Sequence, residues 1–197
     1  MRVRADATAR TRQLLVDCAA ELLRTSAQPI RLVEIAAAAG VSRTTLYRHF
    51  PSATSLIDAV AADLLARAHF DDLLAAVEHA DPVAALTQVT TIGCGIWAID
   101  PPLVRNLVSL ARAQVDALPV IDGLEAGRAR VMERLIERLE EQSLLRAGLN
   151  RADAVDLLMA ATHFAAWDQL VTARSRSSES ATAIIVDLAL RAVVAPP

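Results

Sequence analysis

The chain contains no lysine: all 20 of its basic residues are arginines, a bias read as genomic base composition. Aromatic residues make up only 3% of the 197 positions although 54% are hydrophobic, so any core must be assembled from Leu, Ala, Val and Ile. Alternating β-branched and aromatic runs bounded by turn clusters are missing, which excludes a β-sandwich or barrel and leaves an all-α fold. Two cysteines, Cys18 and Cys94, lie far apart in apolar surroundings. They are too few for a disulfide framework and fit a reduced, cytoplasmic protein. No apolar run approaches the roughly 20 residues that a membrane span requires, and the arginine-dotted N-terminus is not a signal peptide. The four histidines (49, 69, 79 and 163) have no paired metal-ligand spacing, and no nucleophile-elbow, Walker or dinucleotide fingerprint occurs. Neither a metal, a cofactor nor catalysis is therefore expected.

The net charge of −3 divides unevenly. The first 50 residues hold eight arginines against Asp6, Asp17, Glu21 and Glu34, a net +4, so the remainder carries −7. A basic head on an acidic body suits a chain that meets a polyanion at one end only.

Within that head, Leu32, Ile35, Ala36 and Ala39 recur at helical spacing through an alanine-rich stretch, predicting one short helix. Gly40 can adopt the left-handed conformation that closes it, and Val41 can then turn into the core. Ser42 is placed to cap a second helix. On that helix Leu46 and Phe50 share one face, while Arg43, Thr44, Thr45, Tyr47, Arg48 and His49 occupy the rest. Six hydrogen-bonding side chains on two turns are more than a packing helix needs. They are the groups that read a DNA groove: forked arginine donors for guanine, hydroxyls for phosphates, methyls for thymine. Pro51 ends the helix, and Ser52 can cap the next.

The segment Gly40-Val41-Ser42-Arg43-Thr44-Thr45-Leu46-Tyr47-Arg48-His49-Phe50-Pro51-Ser52 resembles the signature of the TetR family of transcriptional regulators, closely over about residues 8 to 65. The resemblance implies an all-α homodimer that binds double-stranded DNA at a palindromic operator, usually as a repressor, and is released by a small apolar effector. It implies a helix-turn-helix domain over residues 1–51 and an effector-binding and dimerisation domain over 52–197. Position by position it assigns base contacts to Arg43, Thr44 and Arg48, and backbone contacts to Thr45, Tyr47 and His49. Two positions depart from the pattern. Ala53 stands where many members carry a phosphate-binding Lys, and Arg31 stands where many have a Thr that caps the first helix of the motif. The rival readings are a helical protein-interaction adaptor and a small all-α enzyme.

About nine helices are expected. The first spans about Ala7–Arg24 behind a loose arm bearing Arg2 and Arg4, with Leu14, Leu15, Cys18, Ala19 and Leu22 facing the motif. The fourth runs from Ser52 to about His69 and is the expected lever between domains. Further helices are marked at 82–100, 101–116, after Gly123 to Arg146, 151–174 and 178–194. Ala154, Leu157, Leu158, Ala161, Ala165 and Leu170, with Ala183, Val186, Leu190 and Val193, give the last two helices an apolar face suited to a four-helix dimer interface. Candidate effector contacts are Thr90, Thr91, Cys94, Trp97, Asn106, Leu110, Met159, His163 and Trp167, with His163 and Trp167 on one helical face. Gly93 and Gly95 mark either a close helix approach or a deformable stretch beside a site.

Overall fold

The computed structural model describes residues 2–26, 31–68, 70–113 and 119–196. Every regular element among them is helical: α1 (Arg2–Thr25), α2 (Leu32–Ala38), α3 (Arg43–His49), α4 (Ala53–Ala66), α5 (Phe70–Val77), α6 (Pro82–Ala98), α7 (Pro101–Ala113), α8 (Pro119–Glu141), α9 (Arg151–Ala161), α10 (Phe164–Asp168) and α11 (Ser178–Val193). One π-helical stretch, Gln169–Ala173, continues α10. No single described helix is long and apolar enough to cross a membrane.

By packing the chain forms two units. One comprises Met1–Leu65 with Asp100–Asp122, the other Ala66–Ile99 with Gly123–Pro197. This cut differs from a division at residue 51, because α4 and α7 pack with α1–α3.

In the first unit α1 is helical from Arg2, so the expected loose arm is instead an extension of the helix. The residues Arg2 to Thr8 contain neither Gly nor Pro to stop it. Its buried stripe is Leu15, Val16, Ala19, Ala20 and Leu23, while Leu14 is exposed, a small rotation from the expected face. Gln13 donates from Nε2 to Asp17 and, across to α4, to Asp63, each at 3.0 Å. At the other end of α1, Arg24 Nε meets Asp100 at 2.7 Å. Asn106 Nδ2 donates to the Leu23 carbonyl, satisfying one of the acceptors a helix C-terminus leaves open.

The second unit is built on α6 and α11, with α5, α9 and the body of α8 around them. Asp81 caps α6 through Val83 N at 2.8 Å ahead of Pro82. Asn150 and Ser177 cap α9 and α11 in the same way. Arg138, buried, donates to the carbonyls of Val77, His79 and Ala80, so its charge lies at the C-terminal end of α5 where the helix dipole favours a cation.

Four expectations change here. A helix at 70–77 was not foreseen. α8 begins at Pro119 and contains Gly123, and it ends at Glu141 rather than Arg146. Ser143 takes a left-handed φ of 58°, and Leu144 N returns to Leu139 O at 2.8 Å, closing the helix without a glycine. The helix expected over 151–174 breaks at Thr162–His163, where Arg128 from α8 satisfies the Met159 and Thr162 carbonyls at 3.1 and 3.4 Å. Finally, Ala154, Leu158 and Val193 are fully buried in this chain's own core and are not interface residues.

Candidate functional site

The α2–α3 segment folds as its residues dictate. Arg31 precedes α2 in an extended conformation and makes no side-chain cap. Gly40 has φ +66°. Gly40 N bonds Ala37 O at 3.2 Å and Val41 N bonds Ala36 O at 3.0 Å, the paired closure of a Schellman motif. Ser42 then accepts from Thr45 N at 3.1 Å, and the two hydroxyls lie 2.9 Å apart. Ser52 repeats the device for α4, accepting from Ser55 N at 3.1 Å.

Leu46 and Phe50 are each only 1% exposed and anchor α3 to the unit. Arg43, Thr44, Tyr47 and Arg48 project outward; Thr45 and His49 are half-buried. Tyr47 is 52% exposed, a large ring left in water on a helix whose other apolar side chains are covered. The Arg12 guanidinium of α1 stacks 4.8 Å from the centre of the Phe50 ring, a contact sequence reasoning missed since nothing local joins the two. His49 Nε2 is buried without a hydrogen-bond partner. Burial holds the imidazole below the ordinary histidine pKa, and the neighbouring Arg48 and Arg12 charges push the same way. Ala53, at the start of α4, brings no charge to this surface. The six residues assigned to DNA thus lie on one short helix, four of them exposed.

The candidate effector residues divide. Asn106 and Leu110 belong to the first unit: Asn106 is engaged with Leu23, and Leu110 is 1% exposed. Within the second unit Trp97, Phe164 and Trp167 form a three-ring cluster with centroids 6.0–6.2 Å apart, Trp97 edge-on to Phe164 at 75°. Trp167 donates from Nε1 to Thr182 Oγ1 at 3.4 Å. Cys94 is buried, and desolvation pushes its thiol up to about 12, only partly opposed by the Thr182 hydroxyl. That direction is the reverse of what a nucleophilic cysteine needs. Thr90 is buried with Oγ1 unpartnered, whereas Thr91 is exposed and back-bonded to Thr87 O. His163 does not share a helical face with Trp167: its Nδ1 caps α10, accepting from Ala165 N at 3.0 Å. Met159 packs at the edge of the unit's aliphatic core. Phe164 and Thr182 were not foreseen, because the helix break that brings Phe164 inward has no signal in the sequence.

The fold and this surface define an all-α protein carrying an exposed helix-turn-helix of the nucleic-acid-reading kind. Residues 27–60 match the family model described as bacterial regulatory proteins, tetR family. Over this segment, about a sixth of its length, the chain is similar to the TetR family. It is 40% identical over 83 residues to the HTH-type transcriptional repressor LfrR of Mycolicibacterium smegmatis, a match covering 42% of this chain and 40% of that one. The whole backbone resembles NalD of Pseudomonas aeruginosa, described as the secondary repressor of the MexAB-OprM multidrug efflux pump, with TM-score 0.72, 20% identity and coverage of 96% and 98%. It also resembles SmeT of Stenotrophomonas maltophilia, solved as a triclosan complex, with TM-score 0.66, 18% identity and coverage of 94% and 92%.

Proposed function

We propose that the chain is a DNA-binding transcriptional repressor that acts in the cytoplasm as a homodimer on a palindromic operator and is released by a small apolar molecule. The observation that carries this is α3: Arg43, Thr44, Tyr47 and Arg48 stand exposed on a helix fixed from behind by Leu46, Phe50 and the Arg12 stack. Arg43, Thr44 and Arg48 read base edges, while Thr45, Tyr47 and His49 hold phosphates, His49 through Nδ1 since Nε2 faces inward. Residues 1–51 are the reading head and 52–197 the effector and dimerisation region. Support for dimerisation comes from the apolar surface that α9 to α11 leave uncovered: Leu157 and Leu188 are 37% and 46% exposed, beside Ala165 and Ala183 and the half-buried Ala161, Leu170, Val186 and Leu190.

The test is an anisotropy titration of the full chain with duplex DNA across a salt series. Binding should weaken linearly on a logarithmic scale, by a slope of about 0.9 per phosphate contacted, and should be abolished by joint replacement of Arg43 and Arg48 with Ala. Salt-independent binding, or binding indifferent to that double replacement, would refute the assignment.

A further inference from the structure

Arg12 of α1 is an exposed cation that, among the described residues, enters no hydrogen bond and no ion pair, yet its guanidinium is held 4.8 Å from the centre of the Phe50 ring. Its surroundings offered other arrangements. Arg24, towards the far end of the same helix, pairs with Glu21 and Asp100, and the carboxylates of Asp17 and Asp63 are bonded by Gln13. Arg12 stands one turn ahead of Leu15 and Val16, where the buried stripe of α1 begins, so its stem lies along the unit and its head reaches solvent. Phe50, the C-cap of α3, is 1% exposed and is covered on one side by that head.

A guanidinium over a ring engages the π-cloud and leaves N–H donors at its rim without partners. That rim lies by the last turn of α3, close enough for the Arg12 charge to act on His49 together with that of Arg48. Arg12, Arg48 and His49 thus bring donors from two helices to one end of α3, and none of the three is in an ion pair. Like charges gathered without a counter-ion repel, and a phosphate diester placed among them relieves the repulsion and accepts the unused donors. Neither α2 nor α4 contains a basic residue, so of these neighbours in the chain it is α1 that supplies a second cationic element beside α3.

We propose that Arg12 is a DNA-backbone contact contributed by α1: seated on Phe50, it presents its donors to a phosphate beside the one that His49 meets, and so ties α1 to the register of the reading helix. This rests on the DNA-binding reading above and adds to it a contact from outside the helix-turn-helix.

The experiment is an anisotropy titration of the full chain on duplex DNA across a salt series, for the parent, Arg12→Met, Arg12→Lys and Arg10→Met, with a circular dichroism melt of each. Met keeps an apolar cover over Phe50 and removes the charge, so Arg12→Met should stay folded and lower the logarithmic salt slope by about 0.9 per bound copy without changing which sequences are preferred. Lys keeps the charge but not the planar group, so Arg12→Lys should keep the slope and bind about two- to tenfold more weakly, the cost of immobilising a side chain that no longer rests on the ring. Arg10 lies about 200° round α1 from Arg12, and Arg10→Met should keep the parent slope. Should Arg12→Met melt below the assay temperature, Arg12→Gln reads the same slope. A slope unchanged on loss of the Arg12 charge, an equal fall for Arg10→Met, or Arg12→Lys binding as tightly as the parent would overturn the proposal and leave DNA binding by α3 in place. A parent that binds no duplex at any salt concentration would refute the DNA-binding reading itself, and the Arg12 contact with it.

Discussion

Replacing Gly40 with Ala isolates one physical term at the centre of the helix-turn-helix. The residue lies at φ +66°, and a Cβ built there meets no atom within 4 Å, so the whole penalty is one of backbone handedness and none of it is steric. An L-residue in that conformation costs about 1–2 kcal/mol, and the stiffer unfolded chain of the Ala variant offsets roughly 0.4–1 kcal/mol. The net loss is about 1 kcal/mol, which for a chain of this size corresponds to a fall in Tm of about 2–4 °C. Asn tolerates the left-handed region better, so Gly40→Asn should lose less than Gly40→Ala. Gly95 lies inside α6 with ordinary φ and equally open surroundings, so Gly95→Ala should move the other way, gaining up to about 1 kcal/mol from helix propensity. Thermal unfolding followed by circular dichroism reads all three. Gly40→Ala matching the parent, or Gly40→Asn falling below Gly40→Ala, would refute the handedness argument.

Three other outcomes are expected. Arg43→Ala should cost about 1–3 kcal/mol of operator affinity and relax one base position, whereas Tyr47→Phe should weaken all sequences alike; selection on both variants compares them. Burial, with the Arg48 and Arg12 charges, holds His49 below the ordinary histidine pKa when folded, so the unfolded chain takes up its proton more readily than the folded form. Stability should therefore fall as pH drops through about 6.5, and His49→Gln should flatten that limb in urea titrations at pH 7.5 and 5.5; an unchanged limb would mean that the ring is not buried as described. Leu188→Asp, on the exposed side of α11, should give monomers by light scattering and poor DNA affinity, and an unaltered dimer would move the interface elsewhere.

What could be read from the sequence was what is decided locally. The turn from α2 into α3 depends on Gly40, Ser42 and Pro51 acting on backbone within a few residues, and each takes the expected role. The absence of a cap at Arg31 was equally legible, since its side chain cannot accept a hydrogen bond. What escaped was set at a distance or by an unusual residue. The break after Ala161 falls in a stretch with no Gly or Pro to announce it, and the carbonyls it frees are taken by Arg128, more than 30 positions earlier. Ser143 closes α8 in a conformation normally left to glycine, so no glycine marks the place where that helix ends. The pairing of Asn106 with the end of α1 joins residues 83 positions apart, a contact that no local signal announces.

The central claim is that two copies of α3 read DNA together. Selection of bound duplexes from a random pool by the purified full-length protein tests it most directly. The account predicts an enriched inverted repeat whose half-sites lie about one helical turn apart or a multiple of it, lost when Arg43 and Arg48 are replaced by Ala. A pool that shows no enrichment, or that enriches a single unrepeated element, would contradict it.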